Sequence, residues 1–343
     1  MSGTAVAVRS PWWARLPIVR QIRQSVGVQR FMLVTGLAIT LGCIAVAAFA
    51  PLIAPYGFNQ LRGADGVPFP THAAPSAAHP WGTTLAGYDV LSRVVFGTQT
   101  ALLAIVLAVA MSIVVGVLLG LLSGYFGGAL DRVLVVVCDA IYAFPTLLLA
   151  IVVAIAISHG QSGLWQGVLA AGISITVVYV PQYFRVVRAE VVRIKAEAFV
   201  ESAKVIGAPT ARIMFLHVLR NSLRTLPLIM TLNAVEAFET LAGLGFLGLG
   251  IEPSAAAEWG YDLQKAVPDV TSGIWWTAIY PGVAIVVLAV GVTLLGEGLN
   301  DLSDPRLRHR RRPVLRARRA LPEPPQPGPV EPPAVFPAPK EPL

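Results

Sequence analysis

The sequence predicts an all-α polytopic membrane protein with six membrane-spanning helices. Three observations carry that expectation: an apolar composition, clustered charges and a one-sided distribution of lysine and arginine. Of 343 residues, 55% are hydrophobic and only 13% charged, with a mean hydropathy of +0.68. A soluble domain carries about 25% charged and about 45–50% apolar residues. Whole windows of about 20 residues hold no charge or one, which is the length a helix needs to cross about 30 Å of hydrocarbon. A soluble globular enzyme, a disordered chain and a coiled coil are excluded.

Six apolar segments meet that length: 31–53, 101–123, 133–158, 167–184, 226–250 and 276–295. Lysine and arginine accumulate in cytoplasmic segments, so they set the orientation. All 26 except Arg62, Arg93 and Lys265 lie before the first span, between the second and third, between the fourth and fifth, or after the sixth. Those segments are predicted to be cytoplasmic, with both termini inside a cell (inner or plasma) membrane. The opposite loops hold Asp65, Asp89, Glu252, Glu258, Asp262 and Asp269. The net charge of +7 therefore reads as topology, and no nucleic-acid partner is expected.

The chain divides into a basic N-terminus (1–30), a first span with a long outer loop (31–95), a five-helix core (96–300) and a tail (301–343). The Pro-rich tail lacks hydrophobic periodicity and is expected to be disordered. Its polybasic start, Arg306 to Arg319, reads as a positive-inside stop signal or as a contact for membrane lipid headgroups. No cleavable signal peptide is expected, because the first apolar run is too long and no small-residue cleavage site follows. Cys43 and Cys138 lie in apolar runs without paired spacing. They are expected to be small core residues rather than disulfide or metal partners.

The most informative stretch is the loop 185–224. Val187, Val191, Ile194 and Ala198, then Phe199, Ala203 and Ile206, recur near helical spacing. Gly207 breaks the run, and Pro209 suits the first turn of a new helix. Ile213, Leu216 and Leu219 continue on one face. Two short amphipathic helices meeting at a glycine corner are predicted. Such a pair either lies on lipid or presents a knob to a soluble partner.

Glu201-Ser202-Ala203, then Gly207, then His217-Val218-Leu219-Arg220 resembles the EAA motif of ATP-binding-cassette (ABC) importer permeases. Three further segments resemble the dipeptide, oligopeptide and nickel permeases in the same order. They are His79-Pro80-Trp81-Gly82-Thr83 with Asp89-Val90-Leu91-Ser92-Arg93, then Gly245 to Gly250 with Pro253 and Trp259-Gly260, then Gly296 to Asp301 with Asp304-Pro305-Arg306. Together they cover about residues 25–308, and the pattern is similar to the second ("C") permease type. Departures are Ser202 for the middle alanine, Arg220 for a usual proline, Thr84 and Tyr88 for an aspartate and an arginine, and Leu241 where a glutamate is usual.

The resemblance implies the type I ABC importer transmembrane fold. It implies a homologous second permease, one or two P-loop ATPase subunits and an extracytoplasmic substrate-binding protein as partners. Glu201, Ser202, Ala203, Lys204, Gly207, Ala208, Pro209 and His217 would then couple this chain to an ATPase. ATP and Mg would sit on the partner ATPases, with no cofactor or metal on this chain. The implied substrates are di- or oligopeptides, with nickel or another small solute as the alternative.

Asp139, Glu236 and Glu239 fall inside predicted spans. A charge at mid-bilayer costs about 2.5–3.5 kcal/mol on insertion scales, so these acids are expected to avoid lipid. Glu236 and Glu239 share a helix face; they either line a translocation path or bond a partner helix. For Asp139 the same two readings stand. Gly116, Gly120 and Gly124 form a small-residue ladder that permits close helix approach.

No phosphate-cradling Gly-x-x-x-x-Gly-Lys-[Ser/Thr] is present, so this chain is not expected to be the ATPase or any other enzyme. The five histidines show no metal-ligand spacing. Gly160-Gln161-Ser162-Gly163 has the form seen in rhomboid-type proteases, but only His159 lies near and nothing orients it. An ATP-independent secondary transporter is the rival reading; it would often show inverted repeats, and none is seen.

Overall fold

The computed structural model describes residues 27–157, 164–223, 226–251 and 253–303. Among them every regular element is helical; only two isolated bridges, Arg62 with Pro68 and Thr83 with Asp89, are strand-like. In order the helices are α1 (Val28–Ala48), α2 (Ala50–Ile53), α3 (Val90–Phe126), α4 (Gly128–Tyr142), α5 (Thr146–Ile157) and α6 (Leu164–Lys195). There follow α7 (Ala198–Val205), α8 (Thr210–Arg212), a π-helical segment (Ile213–Leu219) and α9 (Arg220–Ser222). The last are α10 (Leu226–Phe246), α11 (Trp259–Thr271) and α12 (Trp276–Ser303). Residues 304–343 of the expected tail, 1–26 of the N-terminal arm, Glu252 and the Ser162 segment lie outside the described residues, while 301–303 belong to α12.

Among the described residues four helices are long and apolar enough to cross a membrane: α1, α3, α6 and α12. A fifth crossing exists if α4 and α5 count as one span, although they are bent by 100°. The expected unbroken span 133–158 is thus corrected. Pro145 has no N–H and disfavours a helical residue before it, and the helix breaks over 143–145. The expected span 226–250 is shorter than anticipated. It ends at Phe246 as α10, carries Asn233, Glu236 and Glu239, and is not among the four.

Two expected boundaries also move. The second span begins eleven residues early, at Val90, because Asp89 caps it: its side chain accepts from the Ser92 N–H at 2.8 Å. At 37 residues, α3 is about 55 Å long. The fourth span runs on to Lys195, absorbing the first part of the helix expected before Gly207; the rest of that helix is α7.

The core is the parallel pair α3 and α6. The glycine ladder is its seam: a Cβ on Gly116 would stand 2.4 Å from the Tyr183 Cβ, one on Gly120 2.9 Å from the Phe184 carbonyl, and one on Gly124 2.8 Å from the Val191 side chain. The pair is tied at its C-terminal end. Asp131 accepts from Arg188 Nε at 2.5 Å and from Ser123 Oγ, and Lys195 Nζ donates to the Tyr125 carbonyl. Helix α1 lies antiparallel on α12, where a Cβ on Gly36 would meet the Leu295 backbone at 2.3 Å. Cys138 is buried and Cys43 half-buried, both as free thiols.

Candidate functional site

At the C-terminal end of α6, Val187, Val191 and Ile194 are buried and anchor the chain. Helix α7 repeats the pattern over two turns. Val200 and Ala203 turn inward, while Glu201, Ser202 and Lys204 face out. It ends in a Schellman motif: the Ala208 N–H donates to the Ala203 carbonyl and the Gly207 N–H to the Lys204 carbonyl, both at 3.0 Å. Gly207 has φ +77°, and a Cβ there would meet nothing within 4 Å. The constraint at this corner is therefore backbone conformation and not space.

Pro209 lies one position earlier than expected, at the N-cap of α8 rather than inside its first turn. The following π segment buries Ile213, Met214 and Val218 and packs against α7. His217 sits half-buried on it, and its carbonyl accepts from Asn221 Nδ2 at 2.7 Å. The expected residues Glu201 to Pro209 thus share one corner, with His217 farther along the same loop. Val205 and Ile206 project from the corner, 86% and 82% exposed, beside half-exposed Phe199, Phe215 and Leu216. Buried anchors beneath an apolar tip make a rigid knob.

Glu236 and Glu239 do come together. Both line a cavity of about 620 Å³ between α10, α6 and the α4–α5 bend, with Tyr142, Tyr179, Gln182 and Thr240. A neighbouring cavity of about 380 Å³ shares Tyr142, Gln182 and Glu236 and adds Arg185 and Asn233, so the two form one cleft. Its wall is organised by hydrogen bonds between the Tyr179 and Thr240 hydroxyls at 3.1 Å and from Thr240 Oγ1 to the Glu236 carbonyl at 2.8 Å. Asp139 stands apart. It pairs with Arg185 at 2.8 Å, and that guanidinium lies 4.1 Å above the Tyr142 ring.

The opposite end of the bundle, at the start of α3, is a clasp. Residues 54–89 and 251–275, far apart in sequence, are tied there. Arg93, 2% exposed, pairs with Asp262 of α11 at 2.7 Å and donates to the Phe58 carbonyl at 3.2 Å. His72 Nε2 lies 2.9 Å from Asp269, and His79 Nδ1 2.9 Å from the capping Asp89. Trp259 Nε1 donates to the Val94 carbonyl at 3.0 Å, closing over Gly97.

Glu258 was not anticipated as a site residue. Its carboxylate accepts from the Gly260 and Tyr261 N–H groups at 2.8 and 3.0 Å, capping α11. It fills the space left by two glycines: a Cβ on Gly245 or Gly250 would come within 2.0 or 2.6 Å of it. Burial pushes this carboxyl up to about 7, with nearby Asp262 adding to the rise and the two N–H donors opposing it. A partial signal was in the sequence, as glycines 245, 250 and 260 around two acids, Glu252 and Glu258. Their meaning needs the fold.

Comparison with known proteins decides what kind of chain carries these features. Residues 116–309 match the family described as the inner membrane component of binding-protein-dependent transport systems. The chain is similar to glutathione transport system permease protein GsiD of Escherichia coli O157:H7, at 33% identity over 304 residues, 88% of this chain and 92% of that protein. It resembles GsiD of Shigella boydii serotype 4 to the same extent, and that of Pectobacterium atrosepticum at 32% over 305 residues, 88% and 93% of the two chains. The chain belongs to this family of ABC importer permeases. It is a multi-pass membrane permease subunit. The match begins at Gly116, so the family region holds the α3–α6 seam from that ladder onward, the knob, the cleft and the capping acid. Among the described residues no group of histidine, cysteine, aspartate and glutamate is placed to hold a metal.

Proposed function

We propose that this permease is half of a peptide-import path and is driven through its 198–222 loop by a separate ATPase. The observation that carries the reading is the knob: an exposed apolar corner at Val205–Gly207, rigidly rooted through Val200, Ala203, Ile213 and Val218. A short helix with an apolar tip and buried roots suits insertion into a partner's groove and transmits a push to α6 and from there to the cleft. The charge distribution supports cytoplasmic termini, which puts the knob on the ATP side. The relatives named for glutathione transport support a small peptide as the solute.

In this reading a homologous permease covers the open cleft, and a binding protein delivers solute at the clasp end. ATP and Mg act on the partner ATPases. This chain does no bond chemistry. Closure of the ATPase dimer moves the loop, the bundle rocks, and the cleft opens first to one side and then the other.

A residue with a side chain at φ +77° is strained by about 1–2 kcal/mol, and a β-branched one by more. Gly207→Val should therefore abolish stimulation of the ATPase by loaded binding protein and cut uptake, while the complex still co-purifies. Wild-type uptake and stimulation in that variant would refute the coupling role.

A further inference from the structure

Resting on the permease reading above, we propose that a cavity at the clasp end, between the 84–88 turn, Pro253 and α11, is a docking socket for the extracytoplasmic binding protein, and that it takes a surface segment carrying a carboxylate beside an apolar side chain. The cavity holds about 620 Å³, the room of a small-ligand pocket. The clasp pre-forms it. Asp262 and Asp269 line it, and each is held by a residue distant in sequence, Arg93 at 2.7 Å and His72 at 2.9 Å. The facing wall is a tight turn. The Thr84 N–H donates to the Tyr88 carbonyl and the Gly87 N–H to the Thr84 carbonyl, both at 3.0 Å, with Gly87 at φ +83°. Walls fixed on both sides leave little to order on binding.

Charge and exposure select the occupant. Both lining acids are engaged, and Asp89 and Glu258 of the outer loops are buried. The one cation on the lining, Lys265, is exposed. Its ammonium lies 5.1 Å from the Tyr261 ring centre, and it has no carboxylate partner among the described residues. The socket therefore offers a positive charge, which a carboxylate complements. Leu85 projects from the turn with 62% of its surface exposed, beside Pro253 and Pro268, so an apolar side chain seated here gains by burial. Tyr88 and Tyr261 also line it, and tyrosine is enriched among the residues that anchor interfaces. The socket faces water and not lipid. At 3.6 residues per turn, Tyr261, Lys265 and Pro268 share one face of α11, while the exposed Val267 and Val270 lie on the opposite side. No lining residue is shared with the cleft of Glu236 and Glu239, so the solute path does not account for it. The matched family is described by its dependence on a binding protein, the partner expected at this end.

The test measures binding of the transporter's own purified binding protein to the assembled complex in nanodiscs. Lys265→Glu should raise Kd about tenfold at low salt. Lys265→Gln should flatten the dependence of Kd on salt, because exposed charges are screened, and Lys265→Arg should bind nearly as wild type. Leu85→Ser should raise Kd about fivefold at every salt concentration. A photo-cross-linking amino acid at position 85 should give an adduct to the binding protein, in a segment with an aspartate or glutamate beside an apolar residue. Wild-type Kd in both Lys265→Glu and Leu85→Ser would overturn the proposal. So would equal loss in Lys265→Arg and Lys265→Glu, or adducts at position 85 confined to lipid or to the partner permease. A wild-type complex that neither binds this protein nor imports solute with ATP would defeat the import reading and the socket with it. Where wild type binds and imports and the variants match it, the socket alone fails.

Discussion

Glu258 shows how one side chain can set the pH behaviour of a helix junction. Its carboxyl titrates near 7 in the fold but near about 4.3 when unfolded. Between those values the folded chain holds a proton that the unfolded chain has released, so stability is full below about pH 4.3 and is lost as pH rises toward 7. Glu258→Gln keeps one acceptor oxygen for the Gly260 and Tyr261 N–H groups, which now use two, and cannot ionise. It should flatten the decline in melting temperature between pH 5 and 7.5 in detergent; an unchanged slope would show that another group governs it. Arg185 shows how a residue's sequence neighbourhood misleads. Among the loop arginines it read as a topology signal, whereas it lies within α6 and holds Asp139. Nothing in the local sequence marks a pair separated by 46 positions.

At the scale of elements, patterns with a local cause were legible. The glycine ladder predicted a close helix contact, and the contact exists; the sequence did not say that α6 was the partner, because a small-residue face carries no information about what fills it. The corner at Gly207 followed from a break in helical spacing. The kink at Pro145 and the helix α11 were missed. The former was hidden by uninterrupted hydropathy, and α11 by Pro268 and by length too short to span. The seam makes a direct prediction. Gly120→Leu must push α6 away from α3, since even a Cβ would stand 2.9 Å from a backbone oxygen. Overpacking of this kind costs about 1–3 kcal/mol, so the melting temperature of the purified complex should drop by several degrees. Gly172→Ala, whose Cβ would find only ordinary contact at 3.4 Å, is the control that should melt normally. Equal melting of Gly120→Leu and wild type would remove the seam from the account.

Across the whole molecule, division of labour follows the two ends of the bundle. One end is clasped by long-range pairs, Arg93 with Asp262 and His72 with Asp269. The other carries the knob, and the cleft lies between them. The motif residues His79, Asp89 and Arg93, legible only as a family resemblance in the sequence, turn out to be the bolts of the clasp: a helix cap, its histidine support and a buried ion pair. Their roles depend on partners up to 169 positions away, beyond any local pattern. The span count was less legible than the fold class, because α10 trades apolarity for the acids that line the cleft.

The central claim is that the exposed corner at Ile206 seats in an ATPase. A photo-cross-linking amino acid at position 206, in the assembled transporter in native membranes, tests it most directly. The account predicts one dominant adduct, to a chain that binds ATP, lost when the ATPases are deleted. Adducts to lipid alone, or to another permease chain, would contradict it.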